Sequence, residues 1–127
     1  MEEQANLGKL EVGTEESEKT KLEPKKVKIV SWKVKPIEKA HADKVEFVVK
    51  HPDRDEEITI SSVAYLDGKS VITSGTWLNL DKQGKIQKGS ALAIFLQKVG
   101  FNNLDEAVEK ETETELDDKG YLCFRAY

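Results

Sequence analysis

Residues 88–100 have the sequence KGSALAIFLQKVG, and this stretch decides the fold class. Its large apolar residues follow the i, i+3, i+4, i+7 spacing of one helix face: Leu92, Phe95, Leu96 and Val99. Ser90 precedes the run as a candidate N-cap, and Gly100 follows it as a candidate C-terminal cap. The stretch therefore predicts one helix among segments of a different period.

The residues before this helix alternate between apolar and polar with a period of two, which indicates β-strands. Four extended runs are predicted: 27–37, 44–51, 57–65 and 69–80. In the first, the spacing of Val30, Trp32 and Val34 places them on one face, which we expect to lie in the core; in the second, Val45, Phe47 and Val49 do the same. In the fourth, Gly75 predicts a bulge or bend. There Leu78 and Leu80 share an expected core face, opposite Trp77.

The residues after the helix predict a closing hairpin. Residues 101–108 form a short helical turn with Asn103 as its cap, 109–116 a strand, 117–120 a turn and 121–127 the last strand. With the third and fourth runs merged into one bent unit, the order is β-β-β-α-β-β. This is the order of a five-stranded Greek-key barrel of the OB-fold type. An SH3-like barrel or another α+β arrangement is the alternative.

The charge of the chain is unevenly distributed. Of 127 residues, 38% are hydrophobic and 35% charged, and the net charge is −4. Residues 1–24 hold seven acids and three lysines, so they carry the whole net charge, and 25–127 are neutral. We expect 1–24 to be a disordered acidic tail, since it has no aromatic residue, and 25–127 to be a single domain. The tail is a candidate site for a protein partner.

Residues 88–127 resemble a known family. A helix of the form Ser-x-Leu-x-x-x-Leu-x-x-x-Gly, then a short Leu-containing turn and a hairpin ending in an aromatic-rich strand, is similar to small OB-fold single-stranded-DNA-binding proteins of phage and of archaeal or viral replication. The matching residues are Ser90, Leu92, Leu96, Gly100 and Leu104. The resemblance implies an OB barrel that binds single-stranded DNA during replication.

The candidate binding residues combine lysines with exposed aromatic rings. Residues 19–35 contain seven lysines and one acid, and phosphate contacts are predicted for Lys28, Lys33 and Lys35. Base stacking requires exposed aromatic rings. The candidates are Trp77, Tyr65, Tyr121 and Tyr127, the last two sharing a face with Arg125. Only two of the 20 basic residues are arginines, so binding of single-stranded nucleic acid, DNA above RNA, is predicted to have low sequence specificity.

Other function classes have weaker support. No catalytic motif is present, and we expect no enzyme, cofactor or metal. His41 and His51 are predicted to be exposed loop residues, and Cys123 part of the barrel wall. The alternative function is a protein-interaction or virion/assembly module in which the Glu-rich stretch 109–115 faces a partner. A single cysteine, no signal peptide and no membrane-spanning run predict a cytoplasmic protein without a membrane partner.

Overall fold

The computed structural model describes residues 22–127, so most of the predicted tail over 1–24 lies outside the described residues. Residues 22–127 form a mainly β fold with one α-helix. The elements are β1 (Val27–Ile37), β2 (Ala42–Lys50), β3 (Ile58–Ile60), β4 (Ser62–Asp67), β5 (Ser70–Gly75), α1 (Ala91–Val99), β6 (Glu111–Thr112), β7 (Thr114–Leu116) and β8 (Leu122–Ala126). In this part of the chain, no helix is long and apolar enough to cross a membrane.

The strands form two four-stranded sheets, in the orders β3-β2-β1-β6 and β5-β4-β8-β7. Only Ser61 separates β3 from β4, and only Glu113 separates β6 from β7. The chain therefore passes directly from one sheet to the other at two places. All pairs are antiparallel except β4 with β8, which is parallel. The result is a small barrel-like β fold around one apolar core.

A register shift at Val30 changes the predicted face of β1. The pairing of β1 with β2 skips this residue, which is the signature of a β-bulge. As a result, Val27 and Ile29 are fully buried ahead of the bulge, and Trp32 is half-buried after it. Val34 is 40% exposed, so its predicted place in the core is wrong. This end of β1 extends beyond the residues that cover the core.

The core is built as the alternation in β2 predicts. Val45, Phe47 and Val49 are all fully buried, and β2 therefore presents one continuous apolar face inward. The ring of Phe47 meets Phe95 of α1 edge-on at 5.6 Å and Phe124 of β8 edge-on at 5.2 Å. Phe95 and Phe124 stack on each other with centroids 4.3 Å apart. These three rings join the helix to both sheets.

The predicted ends of α1 are confirmed. The Ser90 hydroxyl accepts a hydrogen bond from the backbone N–H of Ala93 at 3.2 Å, which satisfies a free N–H of the first turn. Gly100 ends the helix with φ of 83°, a left-handed conformation that glycine adopts without strain. The short helical turn is also present over Asp105–Ala107, and the side chain of Asn103 caps it.

Two further predictions about exposure, those for Leu80 and His51, are wrong. Leu80 is 53% exposed, because the chain turns away from the barrel there and bridges only to Ile86. His51 is fully buried. Its Nδ1 accepts the backbone N–H of Asp53 at 3.0 Å, so its Nε2–H is free to donate to the carbonyl of Glu23, 2.7 Å away. This histidine holds the segment before β1 against the domain.

Candidate nucleic-acid interface

A row of side chains crosses the outer surface of β1 and β2. Because Val45 and Phe47 point into the core, the alternation of β2 directs Lys44 and Glu46 outward. In the antiparallel register, Lys35 of β1 lies opposite Lys44, and Lys33 lies opposite Glu46. Side chains on directly opposed residues share a face. Lys33, Lys35 and Lys44 therefore occupy one surface.

Trp77 extends this row on the other side of β2. The backbone N–H of Val45 donates to the carbonyl of Thr76 at 2.9 Å, and the N–H of Leu78 donates to the carbonyl of Asp43 at 2.9 Å. These bonds place Trp77 directly opposite Lys44. Lys35, Lys44 and Trp77 are thus neighbours across β1, β2 and the bridged segment that follows β5, with adjacent backbones about 4.8 Å apart. We call these three residues the lysine–tryptophan row.

The indole and the ammonium group of the row are in direct contact. Lys44 Nζ lies 5.3 Å from the centroid of the Trp77 ring, within the range of a cation–π interaction. The ring is half-buried. One part of the ring therefore packs against the protein, including the Lys44 side chain, and the remaining surface faces solvent.

Gly75 makes this packing possible. A Cβ at this position would lie 2.9 Å from both Cε of Lys44 and Nε1 of Trp77. Ordinary contacts between such atoms are about 3.5–4.0 Å. The glycine that predicts a bend at the end of β5 thus also allows the Lys44 and Trp77 side chains to approach the backbone.

A groove of about 690 Å³ continues from Lys44 across β3 to the turn between β7 and β8. Thr59 of β3 lines it, as do Lys119 and Tyr121 at and after the turn. The carboxylate of Asp117 accepts the backbone N–H groups of both Lys119 and Tyr121 at 2.9 Å, which fixes the turn. Tyr121 is 42% exposed at this rim. The acidic groups of Glu46, Glu57 and Asp117 also line the groove.

Lys28 and Lys33, predicted to contact phosphates, are ion-paired. Lys28 Nζ lies 2.8 Å from the carboxylate of Glu109, and this hydrogen bond raises the pKa of Lys28. Its register partner is Lys50, at the opposite end of β1 from Lys35. Lys33 Nζ lies 3.7 Å from Glu46 on the same face as the row. Of the predicted lysines, Lys33 and Lys35 therefore lie on the candidate face, and Lys28 lies away from it.

Arg125 and Tyr127 form a separate cluster. The Arg125 guanidinium stacks on the Tyr127 ring at 4.5 Å, and the Tyr127 hydroxyl donates to the Glu115 carboxylate at 3.1 Å. That hydrogen bond raises the pKa of Tyr127. Tyr121 and Tyr127 are six residues apart along an extended segment, which corresponds to about 20 Å. Tyr65 is half-buried and packs against the core.

Sequence reasoning overlooked Lys44 and Lys119. The alternation in β2 was a usable signal for Lys44, because it follows from the inward direction of Val45. Its contact with Trp77 had no local signal, since the two residues are 33 positions apart. Lys119 appeared only as part of a turn, and the groove beside it depends on how that turn meets β3.

Two observations on the described residues concern metal-binding groups and the single thiol. No group of three or more histidine, cysteine, aspartate or glutamate side chains there could hold a metal ion. Burial of Cys123 raises its pKa to about 12, so the thiol stays protonated at neutral pH.

Comparisons of the sequence with protein-family models, with curated proteins and with solved structures found no match.

Proposed function

We propose that this chain is a non-enzymatic OB-type domain that binds single-stranded nucleic acid, with DNA as the expected form. The observation that carries the proposal is the lysine–tryptophan row, which combines cationic groups and an aromatic ring on one surface. Backbone phosphates and unpaired bases need this combination.

The strand pairings support an OB-type barrel. If β3 and β4 count as one bent strand and β6 and β7 as another, six strands result, and five of them, numbered along the chain without β5, pair in the closed order 1-2-3-5-4-1. The sixth, β5, lies outside this order and pairs with β4. The third and fifth of these run parallel, and α1 lies between the third and the fourth. OB-folds bind oligonucleotides on the face of strands 2 and 3 and with the adjacent loops. The groove from Lys44 to Tyr121 lies on the corresponding face.

Each residue of the face has a proposed role. Lys35 and Lys44 contact successive phosphates and displace the counterions condensed on the strand. Trp77 stacks one base, and Tyr121 at the far rim of the groove stacks another. Arg125 lies in the separate cluster with Tyr127, and Arg54, which lines the groove, is ion-paired with Glu56 at 3.3 Å, so recognition is expected to follow the backbone with little base preference. The ion pair of Lys33 with Glu46 makes its contribution smaller than that of Lys35.

The test is a titration of the full chain with fluorescently labelled oligo-dT at several salt concentrations. Lys35→Ala combined with Lys44→Ala is expected to weaken binding and to lower the slope of log affinity against log salt by about 1.4, because each lost contact to a single strand contributes about 0.7. The matched control removes Lys88 and Lys98, which are exposed beside and on α1.

The outcomes distinguish binding at the face of the lysine–tryptophan row from attraction by the net charge of the chain. Unchanged binding in the control and a reduced slope in the β1–β2 variant support the proposal. Absence of binding by the unaltered chain at low salt overturns it. So does an equal loss in both double variants, because net charge alone would then explain the affinity.

A further inference from the structure

β5 forms one edge of its sheet in residues 22–127. It pairs with β4 over its whole length, and the sheet order places no described strand on its other side. Gly68 has φ of 64° in the two-residue turn that joins the two strands, as a tight hairpin requires. The pair that closes such a hairpin is Asp67 with Ser70, so the backbone groups of Val71 and Thr73 point to the open edge.

This edge lacks the features that usually prevent strand pairing. Natural edge strands are protected by charged side chains, proline, bulges or short length. Residues 70–80 contain no charged residue and no proline, although 35% of the chain is charged. The pairing with β4 has no register shift, and the strand is six residues long. Val71 is 47% exposed and Ile72 is 36% exposed.

We propose that β5 pairs antiparallel with β5 of a second copy of this chain, so that two four-stranded sheets join into one. A strand that pairs with itself about a two-fold axis at Ile72 places the two copies of Ile72 opposite each other and Val71 of each copy opposite Thr73 of the other. All three residues are β-branched, a type that packs well across neighbouring strands. No charge on either strand opposes this approach, since the hairpin charges are confined to Asp67 and Lys69 at its turn.

The residues outside the described part of the chain, 1–21, are charged, and this argues against their occupying the β5 edge. Residues 1–21 contain six glutamates and three lysines. Such a segment gains nothing electrostatically from an uncharged strand, whereas a second β5 matches it in chemistry. The expected dimer is weak and concentration-dependent, because a six-residue edge buries less than the about 1,200 Å² of a standard interface.

The test compares two substitutions on the same face of the hairpin. Val71→Lys places a charge on the edge strand, and Leu66→Lys places one directly opposite it on β4, away from the edge. Leu66 is 52% exposed, so the two changes are matched in chemistry and exposure. Sedimentation velocity of the full chain over a range of concentrations measures the dimer. We expect Val71→Lys to raise the dissociation constant at least about tenfold and Leu66→Lys to change it less than about threefold.

Hydrogen exchange of the unaltered chain is the second measurement and does not depend on how a variant folds. We expect protection of the Val71 and Thr73 amides to rise with protein concentration. A monomer at every concentration overturns the proposal. An equal loss of dimer in both variants also overturns it, because the sheet face would then be the contact. Protection that is independent of concentration also overturns the proposal, because residues of the same chain would then cover the edge.

Discussion

The substitution Gly75→Ala perturbs the lysine–tryptophan row without touching the core. The new Cβ would lie 2.9 Å from Lys44 Cε and from Trp77 Nε1. This is at least about half an ångström inside ordinary contact, so both side chains must move. The backbone at Gly75 is not in the left-handed region, so alanine can adopt the same backbone conformation. The substitution also lowers the entropy of the unfolded chain. We expect the free energy of unfolding to stay the same or rise by up to about 1 kcal/mol.

The effect on binding follows from the displaced ring. Stacking of a base contributes about 1–3 kcal/mol, and a shifted indole loses about the lower value, which is about fivefold in affinity for oligo-dT. Two-dimensional NMR resolves the two indole N–H groups. That of Trp77 should shift, and that of Trp32, which donates to Asp105 at 3.0 Å, should not.

Gly89→Ala is the matched control for this change. A Cβ at Gly89 has no heavy atom within 4 Å, so the substitution alters the backbone entropy in the same way and creates no clash. A Trp77 resonance and an affinity in Gly75→Ala equal to those of the control would show that the row tolerates a Cβ at this position and would contradict the prediction.

Further predictions concern the helix cap, the core and the buried thiol. Ser90→Ala should lower the free energy of unfolding in urea by about 1 kcal/mol, because the first-turn N–H loses its acceptor. Phe95→Ala should lower it by about 3–5 kcal/mol, since the ring contacts both Phe47 and Phe124; a loss below 1 kcal/mol would contradict that packing. Burial raises the pKa of Cys123 from 9.0 to about 12, so the unfolded chain releases this proton first and stability falls as pH rises from 9 to 12. Cys123→Ala should make that fall shallower, and iodoacetamide should modify the native thiol at pH 8 much more slowly than the urea-unfolded one.

Local periodicity was sufficient for much of the fold. The helix with both caps and the buried face of β2 follow from spacings of a few residues, and the structure has them where the sequence predicts them. The predicted last strand is present as Leu122–Ala126, whereas the single strand predicted over 109–116 is divided between the two sheets as β6 and β7. The bulge at Val30 and the burial of His51 did not follow from the sequence. Both depend on partners far along the chain, since the bulge is a mismatch with β2 and the His51 ring meets the carbonyl of Glu23.

The candidate site shows the same division. That Trp77 is a residue on a polar face follows from its neighbours in sequence, whereas its position beside Lys44 requires the bridge to β2. Side-chain parity along one strand correctly groups Arg125 with Tyr127. It cannot show that Tyr121 lies instead with the groove, because the turn around Asp117 redirects the chain.

The most direct measurement is a map of amide and indole NMR shifts as oligo-dT is added to the full chain. We expect the largest changes at Lys35, Lys44, Trp77 and Tyr121, on the face that joins β1, β2 and the groove. Changes confined to the Arg125–Tyr127 cluster, or no changes at saturating oligonucleotide in low salt, would contradict nucleic-acid binding at this face.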